Sequence, residues 1–383
     1  MISKQKICII GGGLAGLVTA VGLSKLNCEI DLLTGDLDKN LKSRRTIAIS
    51  EDNFSFLKKL NFSKNLKREI WICSKMKLYT ESENEKFSEI FELNKKVKNE
   101  NIFYILENSK IMKLFLEKIK KTKSISLIKN KKVNQIYTAG LLKSVKFNNT
   151  IKNYNLVIIC GGHNSALIKN IFKAKLIENS YKEFAITSIL SHKPIKNDIV
   201  RQIFLDNSIF AMLPISTNKT SIVWSMKNFM KENDNFFLMK KIKFYVSSYL
   251  DKIKFISKIE KKDLNFLIRN KYFLDRTLLF GDALHLMHPF VGQSFNMTLR
   301  DLICLEKILK QKLNLGLDIG AADVLSEFSD IAKPRNFSFS LSTDILKNTL
   351  SYKRIRNDLF KILNKSNFAK DIVFDVANKG FRF

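Results

Sequence analysis

The chain has 383 residues, of which 45% are hydrophobic and 11% aromatic. That composition excludes a disordered chain and predicts a folded protein large enough for about two lobes. The formal net charge of +30 includes 55 Lys but only 11 Arg. Arg is the residue suited to bidentate phosphate contacts, so a Lys excess spread along the chain is weak evidence for a nucleic-acid site. We interpret the lysines as a solvated surface, which is compatible with attraction to an anionic membrane.

The cysteines and histidines predict neither a disulfide framework nor a metal site. The five Cys form no CxxC pair and lie within apolar runs. Their odd number favours buried thiols in a reducing compartment. With only four His in the chain, we predict no bound metal.

The first predicted unit is a strand, a glycine loop, a helix and a second strand. The strand covers Lys6–Ile10, the helix runs to Leu26, and the second strand lies near Glu29–Leu33. The glycines of a GxGxxG motif lie between the first strand and the helix, at Gly11, Gly13 and Gly16. Such a loop lets backbone approach a pyrophosphate, so it predicts a dinucleotide site and leaves FAD and NAD both open.

The same region also bears on membrane insertion. The uncharged run Ile7–Ser24 follows two lysines and resembles a signal peptide or a short span. The glycines at positions 11, 12, 13 and 16 within it argue against both interpretations. No other segment is long and apolar enough to cross a bilayer, so any membrane contact is predicted to be peripheral.

The next elements are a basic segment and a strand–helix pair. Ser43–Ser50 contains Arg45 and precedes a predicted helix, Glu51–Leu60. The alternating run Phe103–Glu107 predicts a strand, and Asn108 or Ser109 can cap a helix that extends to about Lys121.

The middle of the chain changes from a buried strand to an alternating pattern. Tyr154–Ile159 predicts a buried strand that is followed by Gly161 and Gly162. Residues 175–270 contain short alternating apolar runs, which predict an antiparallel sheet with one face available to roof a cavity. Asp234–Leu250 predicts a helix. Trp224 is interpreted as a core residue.

The chain is organised around Gly281–Asp301. A buried strand, Thr277–Phe280, leads into Gly281-Asp282, a turn-rich loop follows, and a helix begins near Asn296. The acidic residue thus lies at the carboxyl end of a strand, which is where ligands bind in α/β sheets. The amides that open the helix can face electron-rich ligand atoms.

Beyond Pro334 the pattern predicts a helical tail rich in Lys. One segment there combines an apolar face with basic residues, namely Ile355, Leu359, Ile362 and Leu363 with Lys353, Arg354 and Lys361. This pattern fits a membrane-surface helix. It fits a helix packed on its own domain equally well.

These motifs resemble those of class A FAD-dependent aromatic hydroxylases, and most closely the ubiquinone-biosynthesis hydroxylases. The Gly281–Asn296 segment is similar to the GD-A-x-H-x-x-HP-x-x-GQ-x-x-N block of the class. Further similar segments are Ser43–Ser50, Tyr104–Ser109, Gly161–Ser165, Phe210–Pro214 and Ile222–Ser225. The Tyr104–Ser109 segment narrows the subfamily, because most other class A enzymes lack it.

The resemblance implies an α/β fold: a Rossmann-like FAD-binding domain with an inserted antiparallel-sheet substrate domain and a helical C-terminal tail. The implied boundaries are 1–175 and 271–332 for the FAD domain, 176–270 for the substrate domain and 333–383 for the tail. The implied reaction hydroxylates a polyprenylated phenol on the way to ubiquinone. FAD, reduced by NAD(P)H or another donor, reacts with O₂ to a C4a-hydroperoxide that transfers the hydroxyl group.

The resemblance also implies site residues, partners and a location. Asp282 would bind the ribityl chain, and His288, Pro289 and Gln293 would line the flavin ring, with no acid–base residue assigned. The implied partners are the phenol, O₂ and other ubiquinone-biosynthesis proteins, at the cytoplasmic face of the inner membrane, with no nucleic acid. The full set of implied cofactor-binding residues is Gly11, Gly13, Gly16, Arg45, Gly162, Gly281, Asp282, Pro289, Gly292, Gln293 and Asn296.

Several positions depart from the family pattern. Thr34 occupies the place of the acidic ribose contact, and Ser294 replaces a glycine. Asp36 lies two residues after Thr34 and could substitute for the acid, but we do not assign it the ribose contact. Gly161 replaces an aspartate, and Ile168 replaces an arginine. Two alternatives therefore stay open: another FAD oxidoreductase, such as an isoprenoid double-bond reductase, or a flavin-poor scaffold of a ubiquinone-synthesis complex. His285 is a candidate acid–base residue or a structural one.

Overall fold

The computed structural model describes residues 4–81, 87–94, 101–162, 165–172, 176–206, 208–227, 234–288 and 292–380. The strands are β1 Gln5–Ile10, β2 Cys28–Leu33, β3 Thr46–Ile49, β4 Trp71–Cys73, β5 Lys75–Glu81, β6 Phe87–Asn94, β7 Phe103–Glu107, β8 Ile125–Ile128, β9 Val133–Ala139, β10 Leu142–Phe147, β11 Thr150–Tyr154, β12 Leu156–Ile159, β13 Leu176–Ser191, β14 Ile199–Leu205, β15 Ser208–Ser216, β16 Lys219–Lys227, β17 Lys254–Phe255, β18 Glu260–Arg269, β19 Phe273–Leu274, β20 Thr277–Leu279 and β21 His285–Leu286. The helices are α1 Leu14–Leu23, α2 Leu37–Leu41, α3 Glu51–Leu57, α4 Ser63–Glu69, α5 Asn108–Lys121, α6 Ala166–Ile171, α7 Asn235–Val246, α8 Ser294–Asn314, α9 Ala322–Leu350, α10 Lys353–Lys365 and α11 Asn367–Lys379.

A six-stranded sheet forms the first layer, in the order β19-β20-β12-β1-β2-β8. All its neighbours are parallel except β19, which pairs with β20 in the antiparallel direction. Strands β12 and β20 are buried throughout, and β1 is buried at Ile7, Cys8 and Ile9, as expected for a parallel sheet covered on both faces. The carboxyl ends of β1, β2, β12 and β20 therefore meet at one edge.

A nine-stranded sheet forms the second layer. Its order is β21-β18-β13-β16-β15-β14-β5-β6, with β17 paired to β13. The alternating runs predicted within residues 175–270 all lie in β13–β16, and Trp224 is buried under α7 as predicted.

The large sheet crosses the predicted domain boundaries at both of its ends. At one end β21, within residues 271–332, pairs with β18. Strands β5 and β6 lie within residues 1–175, yet β5 pairs in parallel with β14 and extends the large sheet. The cause is the register from Ile199↔Lys75 to Phe204↔Thr80, which continues the hydrogen bonding beyond β14. The division of the chain into domains otherwise stays a prediction.

The tail is helical, as predicted, and part of it packs on the large sheet. Phe360 of α10 lies 5.2 Å from Phe91 of β6 between ring centroids. Leu359 and Leu363 pack on the same cluster, whereas Ile355 and Ile362 are 50% and 68% exposed. The predicted apolar face is thus divided between packing on the protein and exposure to solvent.

Two local predictions were wrong. The helix predicted at Glu51–Leu60 ends at Leu57 and continues as a π-helical turn, Lys58–Phe62. Neither Asn108 nor Ser109 caps α5, because Asn108 is already its first residue and Glu107, at the N-cap, makes no side-chain cap.

Candidate active site

A glycine loop joins β1 to α1 at the carboxyl edge of the parallel sheet. Gly11 has a φ of +139°, and a Cβ there would lie 2.9 Å from the carbonyl carbon of Cys160. A Cβ at Gly16 would lie 2.0 Å from the carbonyl oxygen of Gly11. By contrast, no described atom lies within 4 Å of a Cβ placed on Gly13. The loop is thus closely packed beneath and open above, as a phosphate site at a helix N-terminus requires.

Thr34 directly follows β2 and lies beside this loop. It is fully buried, and its Oγ1 has no hydrogen-bond partner among the described residues. Asp36 is exposed, and its carboxylate accepts a hydrogen bond from the Asp38 amide at 2.9 Å. The loop therefore has a buried hydroxyl where the family has an acidic ribose contact.

Cys160, Gly161 and Gly162 directly follow β12, on the other side of the loop. Cys160 is buried, and burial raises the pKa of its thiol to about 12, so the thiol stays protonated and unreactive. Gly162 has no described atom within 4 Å of its Cβ position. The predicted proximity of Gly11 and Gly162 to one ligand rests on this open turn, while His163 and Asn164 lie outside the described residues.

The loop after β20 closes the site from the third side. Gly281 has a φ of +60°, and a Cβ there would lie 2.6 Å from the Cβ of Ala15 in α1. Asp282 follows in a single 3₁₀ turn and is half-buried. The close approach of Gly281 to Ala15 places this turn, and with it Asp282, at the same sheet edge as the glycine loop.

Gly292 and Gln293 lead into α8. Gly292 has a φ of +63°, and its Cβ position lies 3.3 Å from the Cβ of Ala48 in β3. Gln293 is 3% exposed, and both polar atoms of its amide lack a hydrogen-bond partner among the described residues. A buried amide of this kind needs a partner with both donors and acceptors. Pro289, also predicted at the flavin ring, lies outside the described residues.

Asn296 has a different environment from the one predicted. Its Nδ2 donates to the carbonyls of Ala48 at 2.9 Å and Gly292 at 3.3 Å, and its Oδ1 accepts from the Ser50 amide at 3.0 Å and Asn53 at 3.1 Å. The side chain is committed to protein partners and joins the loop to the β3–α3 segment. Any contact with a cofactor would have to come from its backbone.

Arg45 lies in the segment before β3. Its Nε donates to the Ser43 hydroxyl at 3.1 Å, and its carbonyl accepts from the Asn108 amide at 2.8 Å. The Tyr104–Ser109 block thus supports the Arg45 segment. Desolvation by the surrounding protein and the charge of Arg45 lower the pKa of Lys262 on β18, whereas the charge of Asp282 acts in the opposite direction. Arg45 and Asp282 therefore each lie within electrostatic range of Lys262.

His285 has a structural position. It is 1% exposed, and its Nε2 lies 2.9 Å from the Asp301 carboxylate on α8. Asn336 of α9 donates to both oxygens of that carboxylate. The buried pair joins β21 to α8 and α9, which favours the structural interpretation of His285 over the acid–base one.

His288 is also buried, and its Nε2 lies 3.1 Å from the carboxylate of Glu183 on β13. Sequence reasoning did not single out Glu183, Asp301 or Asn336. The available signal was an isolated acid or amide in an apolar element, such as Asp301 among the apolar positions of α8. That signal marks a buried polar residue without naming its partner.

The residues of this edge fit an FAD molecule. Gly13 and Gly162 have the open backbone that a pyrophosphate needs, and Asp282 offers a carboxylate to hydroxyl groups. The unpartnered amide of Gln293 matches the mixed donors and acceptors of a flavin pyrimidine edge. Within the described ranges, no group of three or more His, Cys, Asp or Glu is placed to hold a metal.

Comparison with known proteins places the chain in a family. The sequence model of the squalene epoxidase family matches residues 153–368, which is more than half of the chain. The chain belongs to this family. The chain is 24% identical to a relative, the ubiquinone biosynthesis monooxygenase COQ6 of Dictyostelium discoideum, over 97% of this chain and 90% of that protein. It is 29% identical to the ubiquinone hydroxylase UbiL of Rhodospirillum rubrum, over 43% of this chain and 40% of that protein.

Solved structures of other proteins share the fold of this chain. The p-nitrophenol 4-monooxygenase PnpA of Pseudomonas putida DLL-E4 superposes with a TM-score of 0.80 at 14% identity, over the whole of both chains. HpxO of Klebsiella pneumoniae, solved with FAD and uric acid, gives a TM-score of 0.78 at 14% identity, over 98% and 97% of the two chains. The structures confirm the predicted fold class, and the named relatives confirm the predicted resemblance.

In the described parts of the chain, no helix combines the length and the apolar content that a membrane crossing needs.

Four of the five cysteines predicted to be buried are buried, and Cys304 is half-buried.

Proposed function

We propose that this member of the squalene epoxidase family is an FAD-dependent monooxygenase that hydroxylates the aromatic ring of a polyprenylated phenol in ubiquinone biosynthesis. The observation that carries the proposal is the meeting of Gly11–Gly16, Cys160–Gly162 and the Gly281-Asp282 turn at one sheet edge. The relative that aligns over nearly the whole chain, a ubiquinone biosynthesis monooxygenase, supports the substrate class.

Each segment would hold a different part of FAD. The glycine loop and the first turn of α1 would receive the pyrophosphate. Asp282 would accept hydrogen bonds from the ribityl chain, and Arg45 would lie within reach of the same cleft. Gly292 and Gln293 would face the flavin ring. When bound and reduced by NAD(P)H or another donor, FAD would supply the activation of O₂.

The protein's own contribution is to position the substrate and keep water from the reaction. The buried loop contacts of Gly281 with Ala15 and of Gly292 with Ala48 fix the edge against which the flavin would lie. The large sheet, closed behind by α7 and its aromatic cluster, gives a rigid wall for the substrate. A rigid wall of this kind favours hydroxylation at one ring position, because the reacting atoms must be held close and aligned.

The family's own description favours a second candidate, which is epoxidation of an isoprenoid double bond. Both reactions insert one oxygen atom and would use the same FAD site. The two are separated by product analysis, with a prenylated phenol and an isoprenoid alkene offered to the same purified protein. Ring hydroxylation alone supports the main proposal, and alkene epoxide alone replaces it.

The first experiment is the absorption spectrum of the purified protein, with identification of the released cofactor. Flavin bands with about one FAD per chain would support the proposal. If no flavin is bound even after incubation with excess FAD, the proposal is wrong and the scaffold alternative takes its place.

A substitution tests the role of Asp282. Asp282→Asn removes a charged acceptor, and a charge-assisted hydrogen bond contributes about 1.5–3 kcal/mol. We expect the Kd for FAD to rise on the order of 10- to 100-fold, measured by quenching of flavin fluorescence. Asp330→Asn, on the exposed side of α9, is the matched control. An unchanged Kd in Asp282→Asn would exclude the proposed contact.

We also propose peripheral contact with an anionic membrane, through the tail. Ile355 and Ile362 on α10 are exposed beside Lys353, Arg354 and Lys361, and Phe368 and Ile372 on α11 are 76% and 48% exposed. Exposed apolar side chains next to basic ones suit the surface of such a membrane. Interaction with other ubiquinone-biosynthesis proteins and the cytoplasmic location remain predictions.

A further inference from the structure

A β-bulge interrupts β13 opposite the loop that contains His288. Ser180 pairs with Asn265 and Glu183 with Leu264, so Tyr181 and Lys182 are extra residues on β13. Lys182 has a φ of +50°, in the left-handed region that a lysine rarely adopts. Bulges redirect side chains, and strained backbone of this kind is concentrated near functional sites.

The bulge leads into a buried group of charged and aromatic side chains from three elements. Glu183 Oε2 lies 3.1 Å from His288 Nε2, and Glu183 Oε1 lies 2.6 Å from Lys347 Nζ on α9. Lys347 Nζ also lies 4.3 Å above the Tyr181 ring, which meets the His288 ring edge-on at 5.3 Å. The side chains of Glu183 and Lys347 are only 15% and 11% exposed. One carboxylate thus joins the large sheet, α9 and His288 of the segment after β21.

The charges of this group fix the tautomer of His288. Burial alone would raise the pKa of Glu183, but hydrogen bonds from His288 and Lys347 bring it below its ordinary value, so Glu183 is a carboxylate. Burial lowers the pKa of His288, and Lys347 lowers it further, while Glu183 and Asp344 act against this. Because a carboxylate can only accept, the neutral imidazole must carry its proton on Nε2.

We propose that Glu183, held in place by Lys347, is a positioning residue of the active site: it fixes the orientation and tautomer of His288, which stands five residues before Gln293. The inference rests on the proposed function, since His288 is one of the residues that the family resemblance assigns to the flavin ring. It makes α9 of the tail a part of the active-site framework.

Glu183 raises the pKa of His288 and Lys347 lowers it, and these opposite effects give the test. Glu183→Gln removes a negative charge, so the pKa of His288 falls further. Lys347→Met removes a positive charge, so the pKa of His288 rises. We expect shifts of about half a pH unit or more in each direction. Among the described residues, Tyr181 and Asp344 are further titratable groups near His288.

The measurement is a ¹⁵N NMR titration of histidine side chains in the protein without added cofactor. The chain has only four His, and His288→Asn identifies the signal of His288. The neutral wild-type ring should show a protonated Nε2. Shifts of the same sign in the two variants, no shift in either, or a protonated Nδ1 would overturn the inference.

Controls separate positioning from general destabilisation. Glu178→Gln removes an exposed carboxylate from the same strand and should leave the titration unchanged. Lys347→Arg keeps the charge and should restore the wild-type pKa. Where Lys347→Met fails to fold, Glu183→Gln and Lys347→Arg still decide the outcome.

A flavin readout connects the group to the site. Glu183→Gln should weaken FAD binding or shift the flavin absorption, whereas Glu178→Gln should do neither. An unchanged flavin site would overturn the positioning role. A wild-type protein that binds no FAD, but shows opposite pKa shifts in the variants, would refute the proposed function and retain the Glu183–His288 coupling.

Discussion

Asn296 and Gln293 lie three residues apart in one motif but differ in their hydrogen bonding. The amide of Asn296 makes four hydrogen bonds to protein, whereas the amide of Gln293 is buried without a described partner. The first suits a residue that holds a loop, and the second suits one that faces a ligand. Two residues of one motif thus have separate tasks.

Removal of the Asn296 amide should be costly to the fold. Asn296→Ala leaves the Ser50 amide and the Ala48 and Gly292 carbonyls without this partner in a buried setting. We expect the free energy of unfolding to fall by about 2–4 kcal/mol, measured by urea denaturation. Asn364→Ala, which removes one exposed hydrogen bond to the Ile90 carbonyl, should cost at most about 1 kcal/mol. Equal losses in the two variants would contradict this prediction.

His288 should make stability depend on pH below neutrality. Its pKa in the folded protein lies below the ordinary value of 6.5, so the unfolded chain takes up a proton first as the pH falls. Stability is fully present above pH 6.5 and is lost as the pH falls from there towards the folded pKa. The loss is about 1.4 kcal/mol for each unit of pKa difference. Urea unfolding between pH 7.5 and 5.5 should show a smaller slope in His288→Asn, and an equal slope would exclude the effect.

At this scale the sequence was informative only for local motifs. Gly11, Gly16, Gly281 and Asp282 could be predicted, because a turn or a strand end fixes their setting within a few residues. Glu183 on β13 could not, because its partners, Lys347 and His288, come from α9 and from the segment after β21. No local pattern records a contact made by a bulge.

A comparison of Gly281 with Gly316 separates the cost of a left-handed backbone from the cost of steric crowding between elements. Both glycines have positive φ, +60° and +72°, but only Gly281 has a neighbour, Ala15, within 2.6 Å of its Cβ position. Gly316→Ala should cost about 1–2 kcal/mol, from the left-handed backbone alone. Gly281→Ala should cost about 2–5 kcal/mol, because overpacking is added. Urea denaturation measures both, and equal losses would show that crowding at Ala15 is relieved.

The strands and long helices were predictable, because their apolar periodicity survives in the folded protein. The end of α3 was not, since the π-helical turn Lys58–Phe62 is only five residues long, too short for apolar periodicity to distinguish it from an α-helix. The inclusion of β5 and β6 in the large sheet was also not predictable. The alternation of a strand does not identify the sheet that it joins.

For the whole molecule, the distribution of exposed apolar residues gives a test of membrane contact. Phe368 on α11 and Phe236 on α7 are 76% and 77% exposed, but only Phe368 belongs to the basic tail. Phe368→Asp should reduce binding to vesicles that contain anionic lipid by several-fold, measured by co-sedimentation. Phe236→Asp should leave binding unchanged. Equal effects, or no binding by the wild type, would contradict the proposed contact.

The order of strands in the parallel sheet has a consequence for synthesis of the chain. Strand β1 is made first and can pair at once with β2, but its other neighbour, β12, emerges more than a hundred residues later. Until then one edge of β1 stays unpaired and open to association with other chains. The loop from Gly281 to Asn296 comes later still. The nascent protein must therefore stay protected through most of its translation, and it completes its cofactor site only near the end.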